Sequence, residues 1–358
     1  MVQELMLLTD PTELLRQTVS TSSVSGNEAE VAHYLVSQMC AFARETFVDD
    51  AGNAVALVGH GPLNVTFLGH IDTVPGDIPV EIKEGKLYGR GSVDAKGPFC
   101  TAVAAASLLG DEVLGKLTLT LIGAVEEEVA SSKGARFALQ NYAKPDLLII
   151  GEPSGWDAVT LGYKGRLVLK LNIEKDNFHS AGEDTTAAED LVVCWQRVKA
   201  WAEEFNVSIK GIFDQVQVAL QSINSESDGL KQRAEGVVGL RLPPALPPQE
   251  ARKKLEHLLA ESYATMNFLG SEMPYRSPKD TSLTRAFRTA IRSQEGKPRL
   301  KLKTGTSDMN VVAPIWNVPM LAYGPGDSAL DHTPHEHLSL EEYERAIQVL
   351  KGALENLF

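Results

Sequence analysis

Five short segments of the sequence carry acidic residues, and two of them also carry histidine: GHIDTVP, GRGSVDAKG, VEEEV, IGEPS and DHTPHE. Their candidate residues are His70, Asp72, Asp94, Glu126, Glu127, Glu128 and Glu152, and the last segment with the residue after it offers Asp331, His332, His335, Glu336 and His337. Imidazole nitrogen and carboxylate oxygen are ligands that zinc takes in hydrolytic sites, and a shared carboxylate offsets the repulsion between two adjacent ions. A further glutamate can take the proton from the attacking water. The segments together predict a hydrolytic metal site.

The prediction rests on the position that these segments share, because each segment taken alone has an ordinary structural explanation. A histidine near an aspartate is often a structural pair, and three glutamates in a row are typical of a solvated loop. Here they recur at equivalent places in a strand-to-loop scheme, and ligands gather at the carboxyl ends of strands in open α/β sheets. Asp72 is placed to accept the second ring N–H of His70 and so fix its tautomer.

The elements that must position these residues alternate between strand and helix. Strands are predicted at residues 53–58, 65–68, 117–122 and 147–150, and helices at residues 95–109 and 132–142. Several of the strands are almost entirely apolar, which is typical of a sheet covered on both faces. This pattern predicts an α/β domain.

The middle of the chain follows another order. It reads as a strand at 167–173, a helix at 185–205, strands at 216–223 and 237–242, and a helix at 248–263. From about residue 281 the first pattern returns, with a strand at 300–303, another at 320–323 and a closing helix from Ser339. We therefore predict an α/β domain interrupted by a smaller α+β domain.

Composition excludes several classes of protein. Hydrophobic residues make up 43% and charged residues 23% of the 358 positions, as in globular proteins. The formal net charge of -13 disfavours binding to nucleic acid or to an anionic membrane, and no apolar segment has membrane-spanning length. The acidic N-terminus does not resemble a secretory signal, and Cys40, Cys100 and Cys194 are predicted to be buried thiols, so we expect a cytoplasmic protein.

The five segments, in this order and spacing, resemble the signature of the M20 family of metallopeptidases and deacylases, which includes acetylornithine deacetylase and succinyl-diaminopimelate desuccinylase. The resemblance covers nearly the whole chain. It implies a zinc-peptidase-like catalytic domain with a mostly parallel sheet, formed by residues 1–163 and 276–358. It also implies an inserted ferredoxin-like lid, residues 164–275, through which the family forms homodimers.

The resemblance further implies two Zn²⁺ ions per subunit, with Co²⁺ able to substitute. Asp94 would bridge the two ions. His70 and Glu152 would complete one site, and Glu128 and His332 the other. His332 is preferred to the later histidines because DHTPHE resembles the His-x-Pro-x-Glu pattern of the family.

Catalytic and substrate-binding roles follow in the same way. Glu127 is implied as the general base, with Asp72 supporting the centre. In FHSAG, His179 resembles the lid histidine that stabilises the oxyanion in a neighbouring active site. Arg241 resembles the lid arginine that receives the substrate carboxylate.

The segment KTGTSDMN resembles the glycine-rich loop that lines the family's pocket, which makes Gly305, Thr306 and Asn310 candidates for substrate binding. The family often has arginine where this chain has Asn310. That departure leaves recognition of the substrate carboxylate open.

Three further stretches, GYKGRLVL, EEEVASSKGAR and KTGTSDMNVVAP, are closest to one branch of the family. Its hydrolases release lysine or ornithine from a small acidic amino-group carrier protein in lysine and arginine biosynthesis. Lys297, Arg299, Lys301 and Lys303 occupy alternate positions and, with Lys164 and Arg166, form a candidate basic track for such a carrier. A solvated strand edge protected by lysines explains the same pattern. The alternative functions are a deacylase for acetylornithine or acetyllysine, and a metal-free binding relative.

Overall fold

The computed structural model describes residues 10–179 and 184–358, which form two compact units. The first unit comprises Met1–Gly162, Ser277–Leu302 and Ser307–Phe358, and the second comprises Tyr163–Arg276 and Lys303–Thr306. Each has its own hydrophobic core. Within the described ranges, no helix is long and apolar enough to cross a membrane.

The chain enters the first unit through α1 and leaves it through β8. Its elements are α1 (Pro11–Ser20), α2 (Ala29–Met39), β1 (Glu45–Val48), β2 (Ala54–Gly59), β3 (Leu63–His70), β4 (Glu81–Lys83), β5 (Lys86–Tyr88), α3 (Lys96–Ser107), α4 (Asp111–Leu114), β6 (Leu117–Ala124), α5 (Lys133–Asn141), β7 (Leu147–Gly151) and β8 (Ala158–Tyr163). Asp10 caps α1 by accepting hydrogen bonds from the backbone N–H groups of Thr12 and Glu13.

The second unit follows with six elements in a βαββαβ order and a short seventh element, β13. It contains β9 (Gly165–Asp176), α6 (Ala187–Asn206), β10 (Gln217–Ser227), β11 (Lys231–Leu242), α7 (Pro248–Leu258), β12 (Thr265–Glu272) and β13 (Tyr275–Arg276). The spatial order β10-β11-β9-β12 is antiparallel throughout and ferredoxin-like. The fold predicted for the inserted domain is thereby confirmed.

The chain then returns to the first unit. The remaining elements are α8 (Ser282–Ser293), β14 (Arg299–Lys303), α9 (Asp308–Trp316), β15 (Met320–Tyr323), a 3-10 turn (Ser328–Leu330), β16 (His337–Ser339) and α10 (Leu340–Glu355). The main sheet of this unit runs β1-β2-β6-β3-β7-β15-β8, with β14 beside β8. Strands β3, β6, β7 and β15 are parallel, which confirms the predicted α/β class with a mostly parallel sheet.

The parallel strands explain how distant segments meet. Because β3, β6 and β7 run in the same direction, the residues that follow their carboxyl ends collect at one edge of the sheet. Helix α3 begins two residues after Asp94 and is buried along almost its whole length, which its small side chains allow. These elements fix the backbone on which the candidate ligands lie.

One prediction about the thiols is wrong. Cys100 and Cys194 are buried, but Cys40 is exposed. Cys40 lies just past the last turn of α2, where its Sγ is 2.8 Å from the Thr46 hydroxyl, so the apolar face of that helix ends before it.

Candidate metal centre

His70 and Asp94 form the first half of the candidate centre. His70 ends β3 and is only 2% exposed. Its Nε2 lies 3.2 Å from Asp94 Oδ1, while Glu152 Oε1 and Glu127 Oε2 lie 3.9 and 4.0 Å away. Three carboxylates thus approach one imidazole nitrogen, as they do around a shared cation.

His332 and Glu128 form the second half. The Nε2 of His332 lies 3.0 Å from Glu128 Oε1 and 3.1 Å from Asp94 Oδ2. Hydrogen bonds that the His332 ring donates to the carboxylates of Asp94 and Glu128 raise its pKa to about 10. The two oxygens of Asp94 therefore face two different histidines, which is the arrangement that a bridging carboxylate requires.

Asp72 contacts both halves of the centre. His70 Nδ1 lies 3.1 Å from the carbonyl oxygen of Asp72 and 3.4 Å from its Oδ1, which leaves Nε2 directed at the other carboxylates. The Asp72 carboxylate also accepts the backbone N–H groups of Glu127 and Glu128, at 3.0 and 3.1 Å, and the hydroxyl of Ser25 at 2.7 Å. One buried side chain thus orients an imidazole and holds the glutamate loop.

Glu336 holds the loop that carries Asp94. It is fully buried, and its Oε1 accepts the backbone N–H groups of Val93 and Asp94 at 2.9 and 3.1 Å. Its Oε2 accepts a hydrogen bond from Arg90, and Arg90 donates in turn to the carbonyl of Gly76. Since Glu336 follows His332 by four residues, this contact ties the His332 segment to the Asp94 loop.

Glu127 is a largely buried carboxylate of the centre whose pKa is raised. Burial raises its pKa well above the ordinary value, and the neighbouring carboxylates of Asp308, Glu152 and Glu128 raise it further against the opposing effect of His70. Burial also raises the pKa of Asp308 to about 7. A carboxyl group with a raised pKa is suited to accept and return a proton near neutral pH.

Glu126 takes no part in this cluster. Its backbone adopts a positive φ of 56°, and its Oε2 accepts the Ser131 hydroxyl at 2.7 Å while its Oε1 lies 3.5 Å from Lys133. Glu28 accepts the backbone N–H of Glu126. The turn therefore separates the first glutamate of the triplet from the second and third.

The donor set fits divalent cations. Ligand atoms of His70, Asp94 and Glu128 all lie within 4.8 Å of one another. Glu152 and Glu127 add negative charge close to His70, and buried carboxylates at this density require a compensating cation. The mixture of imidazole and carboxylate suits a transition metal such as zinc better than calcium, which takes oxygen ligands.

Other predicted site residues lie outside this cluster of side chains. Arg241 is half-buried and donates to the Thr306 hydroxyl at 3.2 Å, both in the second unit, where Gly305 precedes Thr306. Asn310 Oδ1 accepts the backbone N–H of Ser307, completing a capping box at the start of α9. His179 is exposed, and the rest of its FHSAG motif after that position lies outside the described residues.

The predicted basic track is largely engaged locally. Arg299 pairs with Asp157, Lys301 donates to the carbonyl of Ser154 at 2.6 Å, and Lys303 lies 5.8 Å from the centre of the Tyr163 ring. Such contacts agree with the reading of this strand as a protected sheet edge.

Sequence reasoning gave no role to Ser25, Glu28, Glu336 or Asp308. The first two lie in a loop far from the motifs in sequence and meet the centre only after folding. Glu336 lies in DHTPHE and Asp308 in KTGTSDMN, so their position within these segments was the available signal.

A family model for peptidase family M20/M25/M40 matches residues 66–356, which include every candidate ligand. The chain belongs to peptidase family M20/M25/M40. Membership of this M20 family makes it a metal-dependent amide hydrolase, in agreement with the donor set.

Among similar M20 proteins, a Deinococcus radiodurans protein named [LysW]-lysine hydrolase is 56% identical over 349 residues, covering 96% of each chain. A Thermococcus kodakarensis protein named putative [LysW]-lysine/[LysW]-ornithine hydrolase is 39% identical, covering 96% of this chain and 91% of its own.

The fold of this M20 chain also matches solved structures. An M20 family metallo-carboxypeptidase, Sso-CP2 from Sulfolobus solfataricus, aligns with a TM-score of 0.81 at 17% identity, over 98% of this chain and 99% of that one. The Bacillus subtilis protein YXEP, described as a dinuclear metal-binding peptidase of the M20 family, aligns with a TM-score of 0.66 at 14% identity, over 96% of both chains.

Proposed function

We propose that this enzyme hydrolyses the amide bond that joins lysine or ornithine to the amino-group carrier LysW in lysine and arginine biosynthesis. The observation that carries the proposal is the 56% identity, over 96% of both chains, to the Deinococcus protein named [LysW]-lysine hydrolase. The more distant relatives are named for both lysine and ornithine, so ornithine is included.

The proposal assigns two zinc ions to the centre, with cobalt able to substitute. Asp94 would bridge them, His70 and Glu152 would hold one, and Glu128 and His332 the other. The support is that Asp94 presents one oxygen to each histidine at 3.2 and 3.1 Å. Bound zinc supplies Lewis-acid polarisation of the amide carbonyl and lowers the pKa of a coordinated water.

The protein's own residues move the proton. Glu127 takes it from the attacking water and delivers it to the leaving amine, and the high pKa that burial gives this carboxyl suits both steps. Asp72 keeps Glu127 in place through the backbone N–H that it accepts, and it holds His70 in one orientation.

The second unit supplies the proposed substrate contacts. Arg241 receives a substrate carboxylate, with Thr306, Gly305 and Asn310 in the adjoining loop, and His179 stabilises the oxyanion. We also assign a homodimer through this unit. In support, β10 is an edge strand of its sheet and its side chains are largely exposed, so it offers unpaired backbone groups to a second copy.

Docking of an acidic carrier is assigned to the side of β14 that carries Lys301 and Lys303. Both side chains are half-buried, and their charges contrast with the net charge of -13 of the whole protein. The cytoplasm, where the carrier would be made, is the proposed location.

The test is release of lysine and ornithine by the zinc-loaded protein from two substrates in parallel, the LysW conjugate and the N-acetyl amino acid. A kcat/KM at least tenfold higher on the conjugate is expected. Higher activity on the acetyl compounds would make the protein a small-molecule deacylase, and no hydrolysis of either by metal-loaded protein would leave only a binding role.

A further inference from the structure

A single cross-strand row crosses the four-stranded sheet of the second unit. Pairing in register places Gln217 opposite Arg241, Arg241 opposite Arg166, and Arg166 opposite Glu272. Residues directly opposite on neighbouring strands project to the same face of a sheet. The four side chains therefore form an amide, two guanidinium groups and a carboxylate side by side, called here the charged row.

The charged row lies on the face of the sheet that the helices do not cover. The flanking residues Leu167, Leu240 and Leu242 are buried in the core of the second unit. Because side chains alternate along a strand, Arg166 and Arg241 project to the opposite face, where each keeps partial exposure. The row therefore has no role in that core, and its residues keep partial exposure.

The two guanidinium groups form no salt bridge in the part of the chain that the structure describes. Arg241 donates to the Thr306 hydroxyl, and neither Arg241 nor Arg166 forms a salt bridge with any residue that the structure describes. Two like charges directly opposite on a sheet destabilise it. Burial lowers the pKa of Arg241 and Arg166 lowers it further, while the nearby carboxylate of Glu272 partly opposes the shift. The pair is therefore organised for an anion, and two planar guanidinium groups match a carboxylate.

Glu272, at the end of the row, is also incompletely paired. Its Oε2 is buried and has no hydrogen-bond partner among the described residues. A Cβ added at Gly270 would lie 3.1 Å from this oxygen, so the absent side chain at that glycine leaves room for the carboxylate. A buried carboxylate oxygen without a donor calls for a cationic or hydrogen-bonding ligand group.

The spacing of the row limits what can bind. Neighbouring strands lie about 4.8 Å apart, so Glu272 stands roughly 7 Å from the midpoint between the two guanidinium groups. A ligand that satisfies both ends carries a carboxylate and an ammonium separated by a chain of several methylene groups. Lysine has its ammonium on a flexible four-carbon stem, which is of this length, and ornithine is one carbon shorter.

We propose that the charged row recognises the amino-acid group of the substrate, with Arg166 and Arg241 binding its carboxylate and Glu272 binding its side-chain ammonium. This inference rests on the proposed release of lysine or ornithine and specifies how that amino acid is chosen. Glu272 and Arg166 become specificity-determining residues, and an amino acid without a side-chain ammonium is disfavoured.

Binding of free amino acids tests the row without requiring hydrolysis. Calorimetric titration of the zinc-loaded protein with lysine and with norleucine separates the two ends, because norleucine keeps the carboxylate and the α-amino group but lacks the ammonium. Because both ligands share the carboxylate and the α-amino group, the difference between their affinities isolates the contribution of Glu272. We expect Glu272→Gln to lower the affinity for lysine about tenfold or more and to leave the affinity for norleucine unchanged. Arg166→Met should weaken both ligands.

Two further variants complete the design. Glu272→Asp keeps the charge on a shorter side chain and should bind lysine with intermediate affinity, which shows that the site still folds. Glu235→Gln removes an exposed carboxylate on the same strand as Arg241 and should change neither ligand. The inference would be overturned if the wild type and Glu272→Gln bound lysine with equal affinity. It would also be overturned if the variant lost equal affinity for lysine and for norleucine. Failure of the wild type to release lysine from the conjugate would instead count against the proposed function.

Discussion

The metal centre of the first unit and the charged row of the second each contain an excess of one sign of charge. In the first unit, carboxylates crowd two histidines, whereas in the second two guanidinium groups lie opposite each other. The centre lies on loops, and buried carboxylates hold these loops by accepting hydrogen bonds from their backbone N–H groups. The row is built on paired strands and held by their register. In both places the imbalance of charge is the observation from which we propose a ligand.

The largest expected effect separates the base from its neighbours in the centre. Glu127→Gln should lower kcat by about 10²–10⁴-fold, because it removes the proton acceptor and leaves the proposed ligands in place. Steady-state kinetics and metal analysis of the same preparation measure both properties. Glu126→Gln is the matched control, since that side chain bonds Ser131 and lies outside the cluster. If kcat fell severely in Glu126→Gln and only mildly in Glu127→Gln, the general base would be Glu126 and not Glu127.

A smaller effect is expected when the hydrogen bonds between Glu336 and the Asp94 loop are weakened. Glu336→Gln should weaken metal binding by about 10–100-fold, because it removes the charge that holds the Asp94 loop and pairs with Arg90. Competition with a chromophoric chelator measures the affinity.

The control for that experiment is Glu342→Gln. Glu342 also accepts two backbone N–H groups, from Trp156 and Gly326, but holds no candidate ligand. Equal metal affinities in the two variants would mean that Glu336 serves the fold alone.

On the substrate side, Lys301→Glu with Lys303→Glu should raise KM for the carrier conjugate several-fold at low salt and much less at high salt. Acetyllysine hydrolysis should change far less, because no acidic protein must dock. A double variant of exposed lysines elsewhere, Lys199→Glu with Lys253→Glu, provides the comparison. An equal loss on both substrates would identify β14 as an ordinary sheet edge.

The smallest effect concerns stability beside the charged row. Burial lowers the pKa of Lys164 from an ordinary 10.5 to about 8, so its desolvation penalty is fully present below pH 8 and disappears as the pH rises toward 10.5. Lys164→Met should therefore raise Tm by a few degrees near pH 7, and the gain should shrink above pH 8.

Thermal melts at several pH values measure that gain. Lys170→Met, at an exposed position of β9, is the control and should show no such trend. A gain at Lys164 that stays constant with pH would rule out relief of a buried charge.

The two regions also differ in how far sequence predicts them. The strands β3, β6 and β7 are largely apolar runs, and His70, Glu127 and Glu152 lie at or within three residues of their carboxyl ends, so the local pattern locates both strand and site residue. Strand β12 has weaker alternation and was not predicted, and Glu272 went unnoticed with it. The charged row depends on register between strands, which a linear pattern does not contain.

Within the centre, long-range contacts were the part that sequence did not predict. Glu336 meets the backbone of Asp94 across 242 positions, and no local rule connects them. Asn310 lies in a motif associated with the pocket, yet its Oδ1 is used to cap α9, because the residue three positions after an N-cap can bond back to it.

The contact between Glu336 and Asp94 has a consequence for how the protein is made. A ribosome produces Asp94 long before Glu336 and His332, with the whole second unit in between. The loop that carries the bridging carboxylate lacks its buried anchor throughout that interval, while the second unit already has a core of its own. Metal can therefore be captured in the final geometry only after nearly the whole chain has been synthesised.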